Sequence, residues 1–277
     1  MRVIEMSIRE LSHMLAATSK PWRLKALDCV GFHEVEDNQR VQRVAFAFNV
    51  LDGMQPQPTT LRQLIESRKR PEDRGIYIGD RFTLAQGLAS AYYQLLYLGW
   101  LHKGIRNENV QFCRSTSEAE DDWQPDPKKF YLMGYEFSRP ISSASLSVKP
   151  EETEDSARYR HPRYLDSVRA QYEPAFDMYS LGIVLSEIAL WKTAKTLAVS
   201  WNRDKRRRPH VSLEEWQTIV DTELVGEVER KVGRVYAEVV RRCIKGDLGT
   251  DCALNNLSEM LRCFDKRIVA NLEKCFA

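Results

Sequence analysis

The spacing of apolar residues predicts a mostly helical chain that begins with a small mixed segment. Between residues 4 and 15, apolar positions recur every three or four residues, which is the period of an amphipathic helix. Residues 27–32 and 43–51 are rich in β-branched and aromatic side chains, and the polar stretch between them favours a hairpin. The apolar positions of the first helix are Ile4, Ile8, Leu11 and Leu15.

Helical patterns dominate the rest of the chain, after a break at residues 52–58 that is the best candidate hinge. The predicted helices are a short one on Leu61, Leu64 and Ile65 capped by Thr59 or Thr60, a largely apolar one over 81–100, one over 177–191 with Asp177 as N-cap, one through 228–243, and one over 257–272. The polar, acidic stretch 113–129 is expected to be a solvated loop.

Composition narrows the class of protein. The chain has 277 residues, 43% of them hydrophobic, with 13 Gly and 11 Pro, which is typical of a globular protein. The net charge of +2 excludes a generally basic protein that coats nucleic acid. The most apolar window, 179–191, is too short to span a bilayer and the charged start is unlike a signal peptide, so we expect a soluble cytoplasmic protein.

The cysteines and one basic run are further candidates for a site. The six cysteines form no CxxC pair, so we expect reduced thiols and no metal centre. A basic run just before Pro209 could be a nuclear localisation signal or a nucleic-acid contact, although a solvated loop is the more common interpretation and a nucleic-acid partner is not expected. Its cations are Arg203, Lys205, Arg206, Arg207 and Arg208.

Four motifs stand in a characteristic order along the chain. They are Leu101-His102-Lys103-Gly104-Ile105-Arg106-Asn107-Glu108-Asn109-Val110, Tyr131-Leu132-Met133-Gly134-Tyr135-Glu136-Phe137-Ser138-Arg139, Tyr159-Arg160-His161-Pro162, and Asp177-Met178-Tyr179-Ser180-Leu181-Gly182. In this order they resemble the catalytic loop, the metal-binding turn, the end of the activation segment and the central helix of a protein kinase. More closely, the chain resembles the degenerate kinase-like domains of filamentous fungi, to which the closing stretch from Val232-Gly233-Arg234-Val235-Tyr236 to Arg242-Cys243 is also similar.

The resemblance implies an α+β, protein-kinase-like fold with a helical large lobe and a truncated small lobe. It assigns residues 1–51 to a remnant small lobe of one helix and a hairpin, 52–60 to the hinge, and 61–277 to the large lobe. The family's glycine-rich loop and phosphate-binding lysine have no counterpart before the first helix, so Glu5 and Glu10 are expected to be surface charges. A lone hairpin is marginal, so its open edge is expected to be covered.

The resemblance also implies that catalytic groups are missing. The catalytic-loop aspartate of the family falls on Gly104, and the metal-binding aspartate falls on Gly134. Asn109 matches the metal-binding asparagine, Arg106 stands at the loop's lysine, and Glu136 is a carboxylate two residues late. These last three residues are the candidates for binding a nucleotide, and Asn109 is the candidate for binding magnesium.

The architectural positions of the family are retained in part. His102 is expected to pack beneath the loop and Asp177 to bond the loop backbone. The family's buried glutamate falls on Arg163, so the usual ion pair is absent and a replacement contact is expected.

The sequence therefore favours a catalytically inactive pseudokinase that acts as an interaction or regulatory module in signalling. No cofactor is expected, and a protein partner is expected, which could complete the small-lobe sheet; no membrane partner is expected. The alternative is residual ATP and magnesium binding or weak serine/threonine-type kinase activity through Arg106, Asn109 and Glu136. Two interpretations of the sequence also stay open: that Gly104 and Gly134 are ordinary turn glycines, and that the chain is a fragment lacking N-terminal strands.

Overall fold

The computed structural model describes residues 2–36, 42–67, 70, 72, 76–119, 123–142, 153–166, 171–201, 211–252 and 256–276. The architecture is α+β, as the sequence predicts. The helices are α1 Arg2–Ala16, α2 Leu61–Ile65, α3 Ile78–Tyr97, α4 Glu154–Ala157, α5 Pro162–Asp166, α6 Pro174–Leu190, α7 Ala194–Trp201, α8 Leu213–Ile219, α9 Val225–Val232, α10 Arg234–Lys245, α11 Leu257–Phe264 and α12 Ala270–Leu272. The strands are β1 Cys29–Glu36, β2 Gln42–Phe48, β3 Thr59–Thr60, β4 Trp100–Leu101, β5 Val110–Phe112, β6 Phe130–Leu132 and β7 Arg139–Pro140.

The described strands form three small antiparallel sheets that place two loops side by side. β1 pairs with β2, β5 lies between β3 and β6, and β4 pairs with β7. Leu101 at the end of β4 faces Arg139, and Val110 at the start of β5 faces Leu132. Because one loop leaves β4 and enters β5, while the other leaves β6 and enters β7, residues 102–109 and 133–138 are held next to each other.

The core is organised around α6, which is apolar around its whole girth and almost entirely buried. Helices α3, α9 and α10 pack against it. A second, smaller apolar cluster joins α1 to the body of the molecule, and the partly buried Phe46 and Phe48 of β2 pack onto it. The buried members of this second cluster are Leu11, Leu15, Leu24, Ala26, Cys29, Leu95, Trp100 and Tyr135.

Most of the predicted elements are confirmed. The first helix, the hairpin, and the helices in α2, α3, α6 and α11 lie where the apolar periods put them. Thr60 caps α2, because its hydroxyl accepts a hydrogen bond of 3.1 Å from the backbone N–H of Gln63. Glu10 is exposed, as expected, while the side chain of Glu5 lies outside the described residues.

Two predictions about helix boundaries are wrong. Asp177 is not the N-cap of α6, which begins at Pro174 after Glu173. Proline suits the first helical position because its missing N–H would have no partner there, and this frees Asp177 for another contact. The single helix predicted over 228–243 is two helices, broken at Gly233 with φ 91°. The apolar period continues across the break because α9 and α10 both pack against α6.

Three further findings concern the membrane, the cysteines and the basic run. No helix in the described part of the chain is long and apolar enough to cross a membrane. All six cysteines are unpaired. The basic run Arg203, Lys205, Arg206, Arg207 and Arg208 lies outside the described residues, so its role stays a prediction.

Candidate functional site

The loop 102–109 is fixed to α6 by Asp177. The carboxylate of Asp177 accepts backbone N–H bonds from His102 at 2.7 Å and from Lys103 at 2.8 Å. It also accepts the hydroxyl of Tyr172 at 2.8 Å. Burial raises the pKa of Asp177, while these three hydrogen bonds and nearby Arg160 act in the opposite direction. A buried carboxylate with three donors holds the loop in one conformation.

His102 is a buried, neutral part of this loop. Its Nδ1 accepts a hydrogen bond of 3.1 Å from the backbone N–H of Gly104, and its ring centre lies 4.9 Å from that of Tyr135. Burial lowers the pKa of His102 to about 3, and the charge of Arg160 adds to this effect. His102 therefore carries no proton to donate as an imidazolium near neutral pH.

Gly104, Asn109 and Gly134 are packed directly against one another. Asn109 is only 8% exposed, and its Nδ2 donates a hydrogen bond of 2.7 Å to the carbonyl oxygen of Gly104. A Cβ atom placed on Gly134 would overlap the amide of Asn109, and Gly134 has φ +86°. A Cβ atom placed on Gly104 would lie 2.8 Å from the carbonyl oxygen of Gly134. The space that side chains at 104 and 134 would need is therefore filled.

The remaining two candidate binding residues are engaged elsewhere or exposed. The guanidinium of Arg106 lies 3.2 Å from the carboxylate of Glu108. Glu136 is exposed, in the 3-10 turn Tyr135–Phe137. The structure thus brings together His102, Gly104, Asn109 and Gly134, and the described residues contain no group of three or more His, Cys, Asp and Glu side chains that could hold a metal ion.

A buried lysine within the loop, Lys103, was missed by sequence reasoning. Lys103 is 3% exposed, has φ 61°, and places its Nζ 5.2 Å from the ring centre of Tyr172. Burial, with the charges of Arg139 and Arg160, lowers its pKa to about 7. The only signal in the sequence was a lysine within an otherwise apolar and glycine-containing motif, which does not by itself predict burial.

A second missed group is Glu187, at the far end of α6. Its Oε1 accepts three hydrogen bonds, from Asn107 Nδ2 at 2.9 Å, the Tyr159 hydroxyl at 2.7 Å and the Ala194 N–H at 2.6 Å. Burial raises its pKa to about 8, and its Oε2 has no hydrogen-bond partner among the described residues. A carboxyl group inside an apolar helix was the signal that could have found it.

Asn107 and Tyr159 also line a cavity of about 310 Å³. Arg62 lies at its rim, 2.6 Å from Glu108 and 3.8 Å from Asp155. Lys195 lies 3.1 Å from the same Asp155. The rim therefore carries charges of both signs that already pair with one another.

Arg163 stands where the sequence predicts a replacement contact for a buried ion pair. Arg163 is exposed, lies 3.6 Å from Glu173 and stands 5.7 Å from the ring centre of Phe176. These are surface contacts, so the structure shows no buried ion pair at Arg163.

Comparison with known proteins adds a relative and a family. Over 134 residues the chain is 31% identical to the mixed lineage kinase domain-like protein of Homo sapiens. This similarity covers 47% of the chain and 25% of the human protein, so the chain matches about a quarter of that relative's length. The domain of unknown function DUF7580 matches residues 35–276, which is most of the chain. The chain therefore belongs to the DUF7580 family.

Proposed function

We propose that this chain is a kinase-like domain that does not transfer phosphate and that acts as an interaction or regulatory module. Three observations support the kinase-like part of the proposal. The four motifs occur in the order of a kinase large lobe, the human relative is named for its likeness to a kinase domain, and Asp177 holds the loop 102–109 from the start of a central buried helix.

The contact between Asn109 and Gly134 carries the non-catalytic part. Phosphoryl transfer requires a carboxylate to orient the attacking hydroxyl and a carboxylate with an amide to hold magnesium. Positions 104 and 134 carry no side chain, so neither carboxylate is present. The Nδ2 of Asn109 is bonded to the Gly104 carbonyl, and a single amide oxygen is all that remains of this set to contact magnesium, which prefers several oxygen ligands. These residues do not fit a magnesium–nucleotide site, and we expect no resident cofactor.

A phosphotransfer assay tests the proposal. The purified chain is incubated with radiolabelled ATP, magnesium or manganese, and a generic protein substrate. We expect no incorporation above that of a heat-denatured sample. Incorporation that is lost in both Arg106→Ala and Asn109→Ala would overturn the proposal and establish weak activity by an atypical route. Asp247→Ala, which replaces an exposed residue on another surface, is the control. Incorporation that is the same in all the variants comes from a contaminating kinase.

The hairpin supplies a reason to expect a protein partner. In the described part of the chain β1 and β2 pair only with each other, so the outer edge of each strand has no strand beside it. Unpaired edges bind further strands readily. We propose that an extended segment of another polypeptide pairs with this ribbon.

Hydrogen exchange tests the hairpin proposal. In the isolated chain, alternate amides of β1 and β2 should exchange rapidly, because they point away from the partner strand. Slow exchange of all amides in both strands at low protein concentration would contradict it, since the chain would then cover its own edges.

A further inference from the structure

Trp22 is an exposed tryptophan in a short, hydrogen-bonded turn. Its side chain is 74% exposed, although it belongs to the short 3-10 turn Trp22–Leu24, whose last residue is fully buried. The turn is closed by a hydrogen bond of 2.9 Å from the Leu24 N–H to the Pro21 carbonyl. The next residue, Lys25, accepts a bond of 2.7 Å from the Leu132 N–H of β6. The backbone that carries the indole is therefore fixed by hydrogen bonds within the turn and to β6.

Cations surround this indole at fixed positions. Arg23 places its Cζ 5.3 Å from the centre of the ring, and Lys25 places its Nζ 5.2 Å from it. Lys25 also lies 5.5 Å from the ring centre of Phe130 and donates a hydrogen bond of 2.7 Å to the Lys128 carbonyl. Lys25 adopts φ 57°, a left-handed conformation, as the residue that ends the 3-10 turn.

The charge of this surface is predominantly positive, with Asp126 as a carboxylate near both Lys25 and Lys129. Lys128, whose carbonyl accepts the hydrogen bond from Lys25, and its neighbour Lys129 are both exposed. The carboxylate of Asp126 lies 3.7 Å from Lys129. We name the four cations with the indole the Trp22 surface. It consists of Trp22, Arg23, Lys25, Lys128 and Lys129.

We propose that the Trp22 surface binds an acidic segment of a partner protein, with an apolar side chain of that segment packed on the indole. The inference rests on the proposed function as an interaction module and names the chemistry of one partner. Tryptophan and arginine dominate the affinity of protein interfaces, and a rigid anchor loses little entropy on binding. The four cations complement carboxylates.

The same residues are poorly suited to anionic partners of a different class. Peripheral membrane binding needs an apolar face of several residues or a second anchoring signal, and here a single ring is exposed among cations. Single-stranded nucleic acid is bound by several stacking rings along a basic groove. The small area predicts a weak and transient complex.

Fluorescence anisotropy with labelled probes tests this inference. The probes are a peptide alternating glutamate with leucine, the same peptide with lysine for glutamate, an oligothymidine, and phosphatidylserine vesicles measured by co-sedimentation. We expect salt-sensitive binding of the acidic peptide only. Affinity should fall about tenfold or more in Trp22→Ala and in Lys128→Glu.

Matched controls are available on distant surfaces. Phe276→Ala removes an 86% exposed aromatic ring, and Lys231→Glu reverses an exposed charge, and both should bind the peptide as the parent does. A second readout is iodide quenching of tryptophan fluorescence: the acidic peptide should protect the exposed indole of Trp22 in the parent. Trp22→Ala keeps the partly buried Trp191 and Trp201 and the buried Trp100, Trp123 and Trp216, and it should show no protection.

Three results would overturn the inference: tighter binding of vesicles or oligothymidine than of the acidic peptide, equal peptide affinity in Trp22→Ala and the parent, or no binding of any probe. None of these results affects the phosphotransfer assay. Detectable phosphotransfer would in turn remove the proposed function whatever the peptide does.

Discussion

The side-chain amide of Asn109 occupies the space above the α-carbon of Gly134, so that a side chain at position 134 and the present Asn109 conformation exclude each other. The same amide donates its hydrogen bond to the carbonyl of Gly104. The absence of side chains at positions 104 and 134 and the position of Asn109 are therefore one structural feature.

This contact predicts a measurable coupling between positions 109 and 134. Gly134→Ala should lower the free energy of unfolding by roughly 2–4 kcal/mol, because it combines left-handed strain with displacement of the Asn109 amide. Gly53→Ala is the matched control, since Gly53 has φ +72° but no atom near its Cβ position, and it should cost about 1–2 kcal/mol. Urea unfolding measures both.

The double variant Asn109→Ala/Gly134→Ala, together with the two single variants, forms a double-mutant cycle that measures the coupling. With the amide removed, Gly134→Ala should cost about 1 kcal/mol less than in the parent. Strict additivity of the two substitutions would show that the amide does not occupy that space.

Asp177 is expected to be the strongest single determinant of the loop conformation. Asp177→Ala leaves two buried N–H groups and the Tyr172 hydroxyl without their acceptor, so the free energy of unfolding should fall by roughly 3–5 kcal/mol. Tyr172→Phe removes one of the three bonds and should cost about 1 kcal/mol.

An exposed aspartate gives the comparison for Asp177. Asp247 accepts a backbone N–H bond of 2.6 Å from Gly249, but it lies on the surface. Asp247→Ala should change the stability by less than about 0.5 kcal/mol. Equal effects of the two aspartate substitutions would contradict the role given to Asp177.

Glu187 predicts a pH dependence of stability. Its folded pKa of about 8 lies above its ordinary value, so its contribution is fully present at acid pH and is lost as the pH rises through 8. The slope from this group approaches about 1.4 kcal/mol per pH unit between the two pKa values. Glu187→Gln keeps an oxygen for the three donors and should remove this slope.

The difference between parent and Glu187→Gln isolates this group from Lys103. Lys103 has a pKa lowered to about 7, so the folded state holds fewer protons than the unfolded chain above that pH and stability rises there. Parallel curves for the parent and Glu187→Gln between pH 5 and 8 would show that Glu187 is ionised at neutral pH.

The sequence predicts the long elements well because each carries a complete apolar period. The first helix, α3 and α6 repeat that period over several turns, and the hairpin strands are long enough to show β-type composition. Strands such as β4 and β7 have two residues each, too few for any period, and they form because their flanking loops are packed. The helix break at Gly233 cannot be recognised in the sequence, because the apolar positions keep their helical spacing on both sides of it.

The candidate site is likewise only partly predictable from the sequence. The absence of carboxylates at 104 and 134 is visible in the residue types alone. The way in which the Asn109 amide fills the remaining space is not visible, because its position depends on two backbone segments that tertiary pairing of β4 with β7 and of β5 with β6 brings together. Burial of Lys103 and Glu187 likewise follows from tertiary packing rather than from local pattern.

The most direct test of the central claim is a thermal-shift titration of the purified chain with ATP, with and without magnesium. A ligand at a hundred times its dissociation constant stabilises the folded state by about 2.7 kcal/mol, which is readily measured. The account predicts no shift in either condition, for the parent and for Asn109→Ala alike. A magnesium-dependent rise in the melting temperature that Asn109→Ala abolishes would contradict it.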